Sequence, residues 1–231
     1  REELPKYIKK NVKVAIEKFK ITTLVLNYIS SLYEQQSFKN ISPNLDLIRM
    51  VKTEEELKIA KSAGKVAEAM MYAGKDAIGH NVPEYEVALA TSQAGTRKAA
   101  EILDKEFQES DISPVIHFLQ IMASGEDLPK THHRSSTKLI KDGEPVFLCF
   151  CGMTNFHKFK LGFDRTFWLK EIRDQSQIKT YETAVRSQKA ALSVLGPGVK
   201  AEDVHAAYAD TIQSAGYPYP TFRCGRATGF S

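Results

Sequence analysis

The sequence predicts an α+β protein in which one helix–loop–helix–strands unit occurs twice, preceded by part of a smaller α/β unit. Three observations point there. Apolar residues recur at helical spacing over two long stretches, each interrupted by a glycine-bearing loop. Runs rich in β-branched and aromatic residues follow the first stretch. The two stretches also superpose, since Val82 and Val199, Glu86 and Asp203, and Val87 and Val204 are each 117 positions apart.

In chain order, Ile8, Val12, Ile16 and Phe19 form one stripe of a helix expected over residues 5–20. Thr22–Tyr28 reads as a strand, Ser30–Gln36 as a short helix and Asn40–Asn44 as a linker. This divides the chain into the end of one domain, 1–42, and a second domain, 46–231. Thr53 and Glu56 make an S/T-x-x-E capping box that opens a helix carrying Leu57, Ala60, Ala63, Ala67, Met70 and Ala77. Gly79 ends it, and Pro83 opens the next, which runs through Val87, Thr91, Ala94 and Ile102 to about Phe107. Strands are expected at Val115–Met122, Val146–Cys151 and Phe163–Leu169. The second copy has helices at Ile178–Leu195 and Ala201–Ala215, joined by Gly196-Pro197-Gly198, then a strand near Thr221. Far fewer residues follow its helices than follow those of the first copy, so the second half-sheet is expected to be incomplete in this chain.

Composition narrows the function classes. Apolar and charged fractions of 42% and 26% are those of a globular protein. A net charge of +4, with no basic stretch interleaved with aromatics, argues against nucleic acid as a partner. Lys6, Lys9, Lys10, Lys13, Lys18 and Lys20 read as the solvated face of a helix. No apolar run approaches the ~20 residues a membrane span requires. Cys149, Cys151 and Cys224 are too few for a disulfide framework and suit a reducing, cytoplasmic setting.

The segment Lys130-Thr131-His132-His133-Arg134 lies on a loop leading into a strand, where a histidine can act as general base or proton shuttle near neutral pH. Two surface histidines are the alternative. Cys149 and Cys151 share a strand face but lack the partners of a zinc site, and read as buried apolar groups. Asp164 and Arg165 sit on a mostly apolar strand, either as a core ion pair or as functional groups. The segment Phe222–Gly229 has glycines but neither G-x-G-x-x-G nor a P-loop lysine. His80, His117, His157 and His205 have no mutual spacing that points to chemistry.

Together these segments resemble the creatinase and Xaa-Pro peptidase superfamily. Ile48–Glu56 is similar to the entry of its catalytic domain and Val82–Leu89 to its second-helix motif. Thr131–Arg134 through Lys141–Glu144 resembles P-H-H-x-P-T…K-K-G-D, Asp164–Phe167 the end of S-D-x-T-R-T-F, and Gly225–Gly229 the G-H-G-I-G segment. The resemblance covers about Asp46 to Ser231 and implies the pita-bread fold, with two pseudo-symmetric α+β halves.

It also implies a site. The family's peptidases bind two metals through two aspartates, a histidine and two glutamates. On this sequence the first aspartate falls at Cys149 and the second at Gly162, with Asp164 as a stand-in across a two-residue insertion. The histidine falls at Arg226, and both glutamates fall beyond Ser231. The resemblance therefore points to the creatinase-like members that need no metal and no other cofactor. It implies His132 and Asp164 as catalytic residues, and Arg226, Cys149, Phe222 and His133 as substrate-binding residues. The expected reaction is hydrolysis of a C–N bond in a small zwitterionic substrate, of guanidino or amide type. A metal-dependent Xaa-Pro peptidase and a non-catalytic binding domain are the alternatives. A homodimer is the assembly the resemblance implies.

Overall fold

The structure is a computed structural model that describes residues 6, 13–18, 20–33, 38–116, 121–130, 132–150, 154–172, 174–226 and 228–230, with only the backbone of 154, 155 and 230. Two compact units meet between Leu57 and Lys58.

In the first unit, strand β1 (Val14–Ile16) pairs in parallel with β2 (Phe38–Asn40), and helix α1 (Thr23–Leu32) lies between them in the chain. Helix α2 (Ser42–Met50) follows, with Pro43 in its first turn. Two parallel strands cannot be joined by a tight turn, so the intervening chain must form a crossover. That requirement corrects the strand expected at Thr22–Tyr28: Thr22 caps α1 by accepting from Val25 N at 3.4 Å. Of the helix expected over 5–20, the described residues around Ile16 form β1 instead, while Ile8, Val12 and Phe19 lie outside the described residues. The linker expected at Asn40–Asn44 is the end of β2 and the start of α2, and the Asn40 side chain accepts from Ser42 N at 3.1 Å.

Helix α3 (Glu54–Ala77) opens on the expected capping box, with Thr53 N donating to Glu56 Oε2 at 2.8 Å and Glu56 N to Thr53 Oγ1 at 3.2 Å. Its buried stripe of Ala63, Val66, Ala67 and Met70 packs in one core with Val87 and Ala99 of α4 (Glu84–Ile102). Glycines allow the close approach. A Cβ on Gly74 would lie 2.7 Å from Thr91 Cγ2 and 2.8 Å from Leu148 Cδ1, and one on Gly95 would lie 2.7 Å from Met70 Cγ. Beyond α4 a π-helical turn, Leu103–Phe107, ends with Gln108 in the left-handed region.

The helices cover a three-stranded antiparallel sheet ordered β3 (Ile121–Ser124), β4 (Pro145–Cys149), β7 (Asp164–Trp168). Met122, Val146 and Leu148 are buried in the core shared with both helices. A second small sheet is ordered β5 (Thr154–Phe156), β6 (Phe159–Leu161), β8 (Gly229–Phe230). The hairpin β5–β6 was not expected: its turn residues, His157 and Lys158, both take positive φ without the usual glycine or asparagine. The strand expected near Thr221 is irregular chain, and pairing resumes only at β8.

Helices α5 (Gln175–Val194) and α6 (Ala201–Ser214) pack on one another as the second copy. The last residues of α3 and α5, Ala77 and Val194, are 117 positions apart, as are the first residues of α4 and α6, Glu84 and Ala201. The sequence repeat is therefore a repeat of elements. Among the described residues, no helix is long and apolar enough to cross a membrane.

Candidate functional site

Ladder register collects the predicted residues of the first half. Asp164 is directly opposite Cys149, Cys149 is opposite Ile121, and Ile121 forms a bridge with Arg134. Directly opposed residues point to the same face of a sheet, so these four make one transverse row. At about 4.8 Å per strand, the row places Arg134 and Asp164 about 14 Å apart. Its middle is apolar, with the Cys149 thiol 3% exposed, and its ends are charged and open to solvent.

His132 precedes this row by two residues, exposed in a turn and at φ 59°. Among the described residues, neither its imidazole nor the Asp164 carboxylate makes a hydrogen bond or ion pair. The two are not bonded to one another. Both are free to meet a ligand.

His133 is engaged inward. Its Nε2 lies 3.3 Å from Glu84 Oε2, and its side chain is 18% exposed. Glu84, the first residue of α4, is fully buried. Its Oε1 accepts from Ser124 N at 2.9 Å and Ser124 Oγ at 2.7 Å; its Oε2 accepts from Ser136 N at 3.0 Å and Ser136 Oγ at 2.7 Å. The loop also serves the helix backbone, because Glu84 N donates to Lys138 O and Tyr85 N to Ser136 O, each at 3.0 Å. Next to it, Asp127 is bonded by Lys130 and, at 3.0 Å, by Lys138. Those ammonium groups, Lys130 first, draw the Asp127 pKa down to about 2. Sequence reading missed Glu84, Asp127 and Arg134. Glu84 looked like a routine acidic residue in a first helical turn, and nothing in its spacing announced its burial.

Phe222 and Arg226 are contributed by the second copy of the repeat. They lie on the exposed segment after α6, where Arg226 lines a cavity of about 910 Å³ with Ser187, Leu192, His205, Tyr208 and Cys224. His205 Nε2 lies 3.1 Å from Phe222 O, and Arg223 stacks on the Phe222 ring at 5.0 Å. Burial, aided by Cys224, pushes the Tyr208 phenol up.

Two sets of residues bear on metal binding. At the positions implied for the family's metal pair stand a buried thiol at Cys149, a glycine at 162 with the Asp164 carboxylate two residues on, and an arginine at 226. A divalent pair needs several carboxylates to offset its charge; these three positions supply one, Asp164, and the two glutamate positions fall beyond Ser231. Separately, Glu84, Asp127 and His133 offer ligand atoms all within 4.8 Å of one another, which is close enough to hold one ion. Their lone pairs are already in use, however. Four donors from Ser124 and Ser136 already bond Glu84, and Lys130 and Lys138 both pair with Asp127.

Comparison with known proteins agrees with this fold. Residues 58–231 match the model of the metallopeptidase family M24. Among curated proteins, the chain is 27% identical over 199 residues to the agropine synthesis cyclase of Rhizobium rhizogenes, covering 85% of this chain and 50% of that protein. It is 25% identical over 174 residues to the creatinase of Bacillus sp. (strain B-0618), covering 71% and 40% respectively. The prolidase of Pyrococcus horikoshii OT3 superposes with a TM-score of 0.79 at 21% identity, covering 95% of this chain and 59% of that one. The chain thus spans about half the length of the relatives it matches. On the family match, the element repeat and the superposition, the chain belongs to metallopeptidase family M24, a hydrolase superfamily, and has its pita-bread fold.

Proposed function

We propose that the protein hydrolyses a C–N bond in a small zwitterionic substrate of guanidino or amide type, using His132 and no resident metal pair. The observation that carries this reading is the transverse row. Where the family's metal-binding carboxylates are expected, it offers one unengaged carboxylate, Asp164, opposite the buried Cys149 thiol.

Each residue then has a definite part. Asp164 faces a cationic group of the substrate through a charge-assisted hydrogen bond, and Arg226 pairs with an anionic group. His132 takes a proton from water as the water oxygen bonds to the scissile carbon, then passes that proton to the nitrogen as the C–N bond breaks. His133, Cys149 and Phe222 complete the substrate surroundings, with His133 acting from the Glu84 side. The small, odd number of cysteines in the sequence, three, supports a reducing, cytoplasmic setting. The homodimer and the division at residues 42–46 belong to the same proposal.

A metal-dependent Xaa-Pro peptidase is the second reading. Two findings favour it: the Glu84, Asp127 and His133 grouping, and relatives such as the Xaa-Pro dipeptidase of Lactobacillus helveticus, 27% identical over 219 residues. The direct test of the histidine assignment is His132→Ala, assayed on guanidino, ureido and Xaa-Pro compounds. Turnover is expected to fall about 10³-fold, the scale of general acid–base catalysis, with the circular dichroism spectrum unchanged. Full turnover in that variant would remove His132 from the mechanism. A ligand bound but never turned over by the wild-type protein would mark a binding domain instead.

A further inference from the structure

Glu84 has no part in the proposed chemistry, yet it is a carboxylate at 0% exposure. Burying such a group costs several kcal/mol unless its oxygens are satisfied, and an apolar side chain in its place gives equal or better stability in many proteins. What distinguishes the arrangement is where its partners come from. Ser124 ends β3, Glu84 begins α4, and His133 and Ser136 belong to the loop that carries His132.

That loop needs a restraint. His132 takes φ 59°, a left-handed conformation that disfavours a residue with a Cβ. The residue after it is held on three sides. His133 N donates to Lys130 O at 3.2 Å, its carbonyl accepts from Met122 N at 3.2 Å, and its ring meets Glu84. Four positions beyond His132, both donors of Ser136 close on the same Glu84 oxygen.

We infer that Glu84 is a positioning residue for His132: its buried carboxylate ties the His132 loop through His133 and Ser136 to the start of α4 and the end of β3, which fixes the turn that presents the imidazole two residues before Arg134 of the row. The inference rests on the reading of His132 as the reaction's base and acid. The bond to His133 requires a proton on Nε2, which leaves Nδ1 of that ring as its remaining site.

The test is Glu84→Gln, which keeps the shape and places an amide NH₂ against one of the serines. Hydrogen–deuterium exchange over residues 130–136 is expected to quicken about 10-fold while exchange in α3 stays unchanged. This readout does not depend on any substrate. Equal exchange in this loop would overturn the brace, even if His132 proves catalytic. In turnover, kcat is expected to fall 10- to 100-fold with KM held within about twofold. The same substitution in a His132→Ala background should have no further effect, because the two residues act as one unit. A loss that simply multiplies in the double variant would reduce Glu84 to a structural role. Should Glu84→Gln fail to fold, Ser136→Ala removes one hydroxyl donor from the same oxygen and is read by the same exchange measurement, with a smaller increase expected. Full activity in His132→Ala would instead overturn the catalytic reading and leave the exchange result to stand on its own.

Discussion

At the residue scale, the loop from Ser124 to Lys138 carries two charge systems with different chemistry. Glu84 is held by hydrogen-bond donors, whereas Asp127 is held by the ammonium groups of Lys130 and Lys138. Because the folded-state pKa of Asp127 lies near 2, below its usual value, its contribution is complete above about pH 4 and is lost as pH falls through 2. Urea midpoints taken from pH 5 down to pH 2 should therefore fall more steeply for the wild type than for Asp127→Asn, the curves converging at the acid end. Parallel curves would mean that the lysines do not hold this carboxylate. Residues with a motif behind them were readable from sequence: His132, Cys149 and Asp164 could be placed by segment similarity, and the ladder puts Cys149 opposite Asp164. Glu84 and Arg134 were not readable. Their roles arise from partners 40 to 52 positions away, or from a single bridge to Ile121, and neither leaves a local pattern.

At the element scale, sequence reading succeeded where local chemistry decides the outcome and failed where tertiary context does. The capping box at Thr53 and Glu56 formed as read, and α3 and α4 run close to the expected bounds. Thr22–Tyr28 has strand-forming residues, yet its place between two parallel strands makes it a helix. The hairpin at 154–161 was hidden because His157 and Lys158 occupy a turn normally signalled by asparagine or glycine. Close approach of elements offers a further check. Gly74→Ala places a methyl group 2.7 Å from Thr91 and 2.8 Å from Leu148, and should destabilise the protein by about 1–3 kcal/mol. Gly64 on the same helix has nothing within 4 Å, so Gly64→Ala should stabilise by about 0.5–1 kcal/mol through helix propensity. Denaturant midpoints of the two variants should move in opposite directions, and a shared sign would contradict the packing described for α3.

At the scale of the whole molecule, the repeat explains both what is buried and what is open. Ala67, Met70 and Gly74 of α3, with Val87, Thr91 and Gly95 of α4, lie in or against the first-half core. Their counterparts 117 positions on are Ala184, Ser187, Ala191, Val204, Tyr208 and Ile212, which line the cavity that also receives Arg226. One set of positions thus lies in or against the core in the first copy and lines a cavity in the second, whose half-sheet is incomplete in this chain. This equivalence could be read from three residue pairs in the sequence, and the short run of residues after the second copy's helices already announced the difference in covering.

The account as a whole turns on whether hydrolysis proceeds without a metal pair, and it is tested most directly by turnover of the chelator-stripped protein with metal content counted per chain. Turnover is predicted to persist with less than one divalent ion per chain, on the reading that Cys149, Asp164 and Arg226 stand with one carboxylate at three of the five positions where the family holds its metals. Activity abolished by chelation and restored as two divalent ions bind each chain would contradict it.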